Sequence, residues 1–305
     1  MILVTGSTGF IGNALIRHLS GTGQKVKLLL HPSQKSPFLP KSLPIEIAVS
    51  SLSEERNLRT VLGDVDVIFH LAGSETRGTR SSLFDVEVKG TNNLCSVAKA
   101  SNVKQIIYLS HIGADKASAY PLLKAKGLSE DAIINSGLDY LIIRTGLVYG
   151  VKDHFTTQIA RLANKAPGIL LIPDDGSALL QPVWIEDIVT CLTWSINNPE
   201  LFHKTIEIGG PEFFSFKDII RMVLSKMELK RSLVSIKPVI LSRITEFLEL
   251  IDKDFPTSVF WIDYLASDRI CDLNSIPIHF GFKPARFLDH IDYLKDYKEF
   301  NKGKQ

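Results

Sequence analysis

The sequence predicts an α/β fold, a doubly wound parallel sheet with a smaller mixed, largely helical C-terminal region. Three observations carry this reading. The chain opens on a short apolar run, Ile2–Val4, followed by glycines at 6, 9 and 12 and then by Ala14, Leu15, Ile16 and Leu19 at helical spacing. Apolar strand-like runs and helical-period segments go on alternating up to Gly150, the signature of parallel strands joined by helical crossovers. After Gly150 the alternation becomes irregular. The expected division is therefore 1–150 for the sheet domain and 151–305 for a C-terminal substrate or partner region partly interleaved with it.

Composition bounds the function. The chain has 305 residues, 45% hydrophobic and 22% charged, an ordinary globular balance. A net charge of +2 gives no argument for nucleic acid. Cys95, Cys191 and Cys271 lie far apart without metal-ligand spacing. They read as small apolar residues in a reducing compartment, with no metal site. No apolar stretch is long enough to span a bilayer, and because the first strand begins at residue 2, no N-terminal address is expected in the chain as written. A cytoplasmic location is the expectation.

Each element follows from its residues. In Thr5-Gly6-Ser7-Thr8-Gly9-Phe10-Ile11-Gly12 a strand, a glycine turn and a helix succeed one another, the context in which such a loop cradles phosphate. Gly6 permits the tight turn, Gly9 lets the backbone approach a diphosphate, and Gly12 lets the helix lie close to the strand. The N–H groups of Ser7, Thr8, Phe10 and Ile11 at the helix start then face the phosphates.

Lys25–Leu30 reads as the second strand, whose end lies beside an adenosine ribose in this architecture. An Asp or Glu there would hold the ribose hydroxyls. The chain instead has His31, Ser33 and Lys35, which suit a 2′-phosphate and favour NADP over NAD, although Lys35 serves equally as a solvated charge. Phe38–Pro44 reads as a loop and Ile45–Val49 as the third strand. Ser53, ahead of Glu54 and Glu55, reads as a helix cap.

Val65–Gly73 is the fourth strand and its exit, with His70 a packed strand residue rather than a catalyst. Ser81–Ala100 reads as one long helix. Gly90 within it costs about 1 kcal/mol relative to alanine, and close packing on the sheet accounts for it. Gln105–Ser110 and Asp139–Ile143 are the fifth and sixth strands, with a helix from about Tyr120 to Asn135 between them. Further on, His154–Asn164 reads as a helix, the run Gln181–Ile188 enters another that ends near Pro199, and Ser215 and Asp218 cap a third that ends near Met227; Ile169–Ile172 and Thr205–Ile208 read as strands, and Pro238–Phe300 as helices and loops.

Tyr120 and Lys124 are four residues apart, which places them on one face of a helix. A tyrosine has an ordinary pKa of about 10, and a neighbouring ammonium and a cationic nicotinamide both favour the phenolate. Such a tyrosine exchanges a proton with a carbonyl or alcohol oxygen as hydride moves. Pro121 disfavours a helical conformation for Tyr120 and shifts it toward the helix cap.

These segments, with Leu109-Ser110-His111, Glu130, Ile143-Arg144, Val148-Tyr149-Gly150, Gln181-Pro182-Val183-Trp184, Asp187, Gly209-Gly210-Pro211 and Gly281-Phe282-Lys283-Pro284 in that order, resemble the extended and atypical short-chain dehydrogenase/reductase superfamily over nearly the whole chain. The similarity is to the NAD(P)H-binding branch that includes the complex I accessory subunit and nucleoside-diphosphate-sugar-epimerase-like proteins. The resemblance implies a Rossmann sheet binding NADP or NAD. It places Gly6, Gly9 and Gly12 at the diphosphate, Ser51 and Leu52 at the adenine, Leu71, Ala72 and Gly73 at a ribose, and Tyr120 and Lys124 at the nicotinamide, with Ser110 as the substrate-oxygen partner. Glu87 stands where asparagine is usual and Thr145 where proline is common.

Two functions follow. The first is an NAD(P)-dependent oxidoreductase or sugar-nucleotide epimerase-like enzyme whose partner is an unidentified small-molecule substrate. The second is a catalytically silent NAD(P)H-binding scaffold, sensor or assembly protein, docking on a protein complex or a peripheral membrane surface. The apolar stripe Val239, Ile240, Leu241, Ile244, Phe247, Leu248 and Ile251 suits such docking, and suits core packing or a pocket lid as well.

Overall fold

Parallel strands covered by helices on both faces lose their polar alternation, and the centre of this sheet is built that way. The computed structural model describes residues 1–32, 45–73, 83–166, 168–251, 259–295 and 297. The N-terminal half runs β1 (Ile2–Thr5), α1 (Phe10–Ser20), β2 (Val26–Leu30), β3 (Ile45–Val49), α2 (Glu55–Leu62) and β4 (Val67–His70). A π-helical turn, Asp85–Lys89, then leads into α3 (Gly90–Ala100), followed by β5 (Gln105–His111), α4 (Pro121–Ile134) and β6 (Asp139–Thr145). Every residue of β1, β2 and β4 is buried.

The C-terminal half continues with β7 (Val148–Tyr149), α5 (Thr156–Lys165), β8 (Ile169–Pro173), β9 (Leu179–Leu180), β10 (Val183–Trp184), α6 (Ile185–Trp194) and β11 (Lys204–Ile208). Then come β12 (Phe214–Ser215), α7 (Phe216–Lys226), β13 (Ser232–Ile236), α8 (Pro238–Ile251), α9 (Val259–Tyr264) and α10 (Ser275–Phe280).

The seven-stranded sheet has the order β11-β6-β5-β4-β1-β2-β3. β1 pairs in parallel with β2 and with β4, β2 with β3, and β4 with β5. Strand order reverses between β1 and β4, and the crevice outside the carboxyl ends at such a switch point is where open α/β sheets hold ligands. The fold is the doubly wound α/β sheet that the alternation predicts.

The chain divides into two compact units, Met1–Arg144 with Ile188–Glu207, and Thr145–Asp187 with Ile208–Gln305. In the first, Leu3, Leu58, Ile68, Leu94, Ile106, Tyr108 and Ile142 form a continuous core. The buried Gln105 side chain donates to Ser195 O (2.9 Å) and accepts from Asn197 N (2.9 Å), tying β5 to the end of α6. In the second unit the core gathers Tyr149, Phe155, Phe216, Ile219 and Phe287. Buried Asp153 accepts from the backbone N–H groups of Gly150, Phe155 and Thr157 and from the hydroxyls of Thr156 and Tyr293. Burial raises its pKa and these hydrogen bonds pull it back. Gln181 donates to Gly210 O (2.7 Å) and accepts from Cys271 N (2.7 Å). A Cβ on Gly210 would sit 1.9 Å from Pro182 O, which accounts for the Gln181-Pro182 and Gly209-Gly210 pairs in one interaction.

Several local expectations change. Ser53 is not the cap of α2; Glu54 occupies that position, and Ser53 stands in a turn in which its N–H donates to the Ser51 hydroxyl (3.2 Å) and the two hydroxyls share a hydrogen bond (2.7 Å). The helix expected from Ser81 is interrupted by a π turn at Asp85–Lys89, after helical Leu83 and Phe84, and Ser81 itself lies outside the described residues. Gly90 closes on Leu52 rather than on the sheet, for its Cβ would meet the Leu52 side chain at 3.1–3.2 Å. β13, read as no element from sequence, pairs in parallel with β8. Phe38–Pro44 lies outside the described residues.

Candidate functional site

The glycine loop is shaped by backbone contacts that tolerate no side chain at two positions. Gly6 has φ +67°, and a Cβ there would lie 2.3 Å from Leu71 O and 2.7 Å from Ala72 N. A Cβ on Gly12 would lie 2.3 Å from Gly6 O. Gly9 differs: it is exposed, and its Cβ would meet only Gly6 O at 3.2 Å. Protein packing thus explains Gly6 and Gly12, whereas the described residues leave room at Gly9 for a group from outside to approach the backbone. Gly9 caps α1 without a side-chain hydrogen bond to the helix start, leaving that end available to an anion. The Ser7 hydroxyl, on a residue 2% exposed, has no hydrogen-bond partner among the described residues. A buried orphan hydroxyl beside a bare helix start fits the diphosphate of a dinucleotide.

Around the loop the structure assembles part of the expected set. Gly6, Leu71 and Ala72 are in direct backbone apposition. Phe10 and Ile11 begin α1 half-buried, Thr8 is exposed, and Gly73 is exposed just past β4. His31 is exposed beyond β2, while Ser33 and Lys35 lie outside the described residues. Ser51 is spent in its turn with Ser53, and Leu52 packs on Gly90.

At the other end, Ser110 is 1% exposed near the end of β5, and its hydroxyl has no partner among the described residues. Tyr120 is the N-cap of α4 with extended backbone (φ −84°, ψ 121°), Pro121 takes the first helical position, and Lys124 N donates to Tyr120 O at 2.9 Å. The tyrosine therefore precedes the helix instead of lying on its face, as the Pro121 sterics require. Tyr120 is half-buried and Lys124 exposed. Beneath them, Gly127 lies so close to the Asp115–Lys116 backbone that a Cβ would come within 2.3 Å of Lys116 N. Arg144 is held in two-point contact by buried Glu130, Nε to Oε1 at 3.0 Å and Nη2 to Oε2 at 2.6 Å, and this pairing raises its pKa.

Under the loop runs a buried polar network whose extent the sequence reading missed. Glu87 and Lys126 form an ion pair at 3.0 Å with side chains 0% and 4% exposed. Tyr108 donates to Glu87 Oε2 at 3.2 Å, and Lys126 lies 5.3 Å from the centre of the Tyr108 ring. His70 stacks on Tyr108 with centroids 5.4 Å apart. Its two ring nitrogens meet Thr5 Oγ1 and Thr91 Oγ1, each at 2.8 Å. Burial, and then the Lys126 charge, push the His70 pKa down to about 3, so the ring is neutral at physiological pH. The available signal was periodicity: Glu87 falls on the Leu83–Leu94 stripe and Lys126 on the Leu122–Ile133 stripe, two opposite charges at core positions.

Known proteins place this chain. A family model described as NAD(P)H-binding matches residues 6–167. A mitochondrial NADH dehydrogenase [ubiquinone] 1 alpha subcomplex subunit 9 of Arabidopsis thaliana is 25% identical over 229 residues, 72% of this chain and 56% of the relative, so the match spans little more than half of that protein. A ceramide reductase of Caulobacter vibrioides is 24% identical over 96% of this chain and 85% of its own. The photosystem II assembly factor Ycf39 of Cyanophora paradoxa is 29% identical over 52% of this chain and 49% of its own. Among solved structures, a UDP-glucose 4-epimerase of Thermotoga maritima superposes with a TM-score of 0.73 at 19% identity, over 100% of this chain and 99% of its own.

The expected partner is corrected by these relatives. A small-molecule partner was expected first, whereas two of the relatives are named as a subunit of a complex and as an assembly factor. The cytoplasmic expectation reduces to a narrower statement: among the described residues no helix is long and apolar enough to cross a membrane. Glycine loop, sheet order and family match agree: the chain belongs to the NAD(P)H-binding family, in line with the resemblance to the atypical short-chain dehydrogenases/reductases drawn from its sequence.

Proposed function

We propose that the chain is an NAD(P)H-dependent oxidoreductase that moves hydride between a nicotinamide and a carbonyl or alcohol carbon. The observation that carries this reading is the orphan buried hydroxyl of Ser110 near the end of β5, in a chain that also sets Tyr120 at the cap of α4 with Lys124 one turn on. Gly6, Ser7, Gly9 and the start of α1 would hold the diphosphate, Leu71–Gly73 a ribose, and Lys124 the nicotinamide ribose. A bound reduced nicotinamide supplies the hydride. Ser110 donates a hydrogen bond that orients the acceptor oxygen, and Tyr120 gives that oxygen a proton, so that one hydride and one proton convert carbonyl to alcohol. In the reverse direction Tyr120 takes the proton. The sequence His31-Pro32-Ser33-Gln34-Lys35, with no carboxylate, favours NADP over NAD. The relative named as a reductase, matched over 96% of this chain and 85% of its own, supports turnover over silent binding. Titration with NADPH and NADH, then nucleotide oxidation against a panel of carbonyl acceptors, tests it. Tyr120→Phe should lower kcat by about 10²–10⁴-fold, the range for a positioned acid, with nucleotide affinity kept. Unchanged kcat would remove Tyr120 from the mechanism.

A second reading has its own observation. On α8, Val239, Phe247, Leu250 and Ile251 are 68%, 61%, 82% and 68% exposed. An apolar face of that size on a helix suits contact with another protein, and a complex subunit and an assembly factor among the relatives support a nucleotide-holding docking protein. Nucleotide binding without turnover of any acceptor would favour it.

A further inference from the structure

We infer that His70 is a positioning residue for the dinucleotide: as a neutral ring protonated at Nε2, it links Thr91 to Thr5 and thereby fixes the Leu71–Ala72 backbone against the Gly6 turn. The inference rests on the dinucleotide reading above for its ligand, and on the hydrogen-bond pattern for its mechanism.

The direction of each bond follows from counting protons. The Thr91 hydroxyl donates to Glu87 O. A hydroxyl has one proton, so Thr91 Oγ1 must accept at its 2.8 Å contact with His70 Nε2. Nε2 therefore carries the ring proton, and Nδ1 of the neutral ring is an acceptor. At the other nitrogen, 2.8 Å away, the Thr5 hydroxyl donates to Nδ1 in preference to Phe69 O at 3.5 Å. Thr5 Oγ1 keeps its lone pairs for two backbone donors, Leu71 N at 3.1 Å and Ala72 N at 3.2 Å. The second of these N–H groups belongs to the Leu71–Ala72 peptide, the one that a Cβ on Gly6 would strike. The run Glu87 O, Thr91, His70, Thr5, Leu71–Ala72 thus ends on the turn that shapes the phosphate loop.

Both ends are anchored. Glu87 O also accepts from Ser129 Oγ at 2.7 Å, which ties the π turn to α4, and the Glu87 side chain pairs with Lys126 of the same helix. His70 is 0% exposed, and its ring is stacked on Tyr108, so it cannot turn to exchange its nitrogens without repacking. Tautomer and ring orientation are set together. Among the described residues, the groups that face His70 include Thr5, Thr91, Tyr108 and the Lys126 charge.

The test compares Thr91→Val, Thr91→Ser and, as a stability control in the same core, Ile133→Ala, each in the full chain. Affinity for NADPH and NADH is measured by titration, and hydrogen exchange at the Leu71 and Ala72 amides without nucleotide. Thr91→Val should weaken nucleotide binding about tenfold, the effect of one stranded buried donor, and should speed exchange at both amides. Thr91→Ser restores both, and Ile133→Ala loses thermal stability without changing either. Wild-type affinity and exchange in Thr91→Val, or failure of Thr91→Ser to restore them, would overturn the inference. If the wild-type chain binds neither nucleotide, the dinucleotide reading fails, and the exchange comparison still decides the relay. ¹⁵N NMR of the His70 ring, which should show the proton on Nε2 alone, decides it independently should Thr91→Val not fold; a proton on Nδ1 refutes it.

Discussion

Removing Lys126 should unfold this protein far more readily than removing Lys126 together with Glu87. Both side chains are at most 4% exposed, and they pair at 3.0 Å. A buried carboxylate deprived of its ammonium retains its full desolvation cost, typically about 3–5 kcal/mol. Lys126→Met and Glu87→Met should each destabilise by roughly that amount. At about 2–4 °C per kcal/mol for chains of this order of size, each Tm falls by roughly 6–20 °C. The double variant replaces the pair by apolar volume and should recover most of the loss, because such replacements are often neutral or favourable. Urea unfolding of the four proteins gives the coupling energy directly. Single variants costing under about 1 kcal/mol, or costs that simply add in the double variant, would show that the pair is not the desolvated contact described.

Two further outcomes follow from the same region. Because the folded pKa of His70 is depressed from 6.5 to about 3, the unfolded chain binds its proton first as pH falls. The stability from a neutral His70 is complete above about pH 6.5 and declines by about 1.4 kcal/mol per pH unit below it. Equilibrium unfolding of wild type and His70→Asn at pH 4–7 should differ by that slope, and parallel curves would contradict a buried neutral ring. Gly9→Ala should fold like wild type, since its Cβ meets only Gly6 O at 3.2 Å, yet lose most nucleotide affinity in a titration. Retained affinity would move the diphosphate away from the loop.

The glycine loop and the buried strands were legible because their causes are local. Ile2–Val4 and Val67–Phe69 are apolar throughout, and the Gly6, Gly9, Gly12 spacing has one structural use between a strand and a helix. The cap position of Tyr120 was legible for the same reason: Pro121 acts on its immediate neighbour. β13 was not, because Ser232-Leu233-Val234-Ser235-Ile236 is short, has partly exposed faces, and takes its identity from β8 rather than from its own pattern. Nor was the π turn, which shifts the helical period without a distinctive residue. Thr5, His70, Thr91, Glu87 and Lys126 are scattered over more than a hundred positions, and only the folded sheet brings them together. Ser53 illustrates competition: it is a good cap by type, but it is drawn into a turn with its neighbour Ser51, and the cap falls on Glu54.

The missing methyl at Gly127 has a consequence for how this protein can change. The Asp115–Lys116 chain rests on that bare spot of α4, with Asp115 N bonded to Leu123 O at 3.1 Å and Lys116 paired to Asp131 at 3.0 Å. The stretch from β5 to Tyr120 is thereby seated from below, whatever lies above it. Exposed residues of that stretch can change while the backbone ahead of Tyr120 keeps its seat. Evolution, or a designer, can redecorate that strip cheaply as long as the glycine stays.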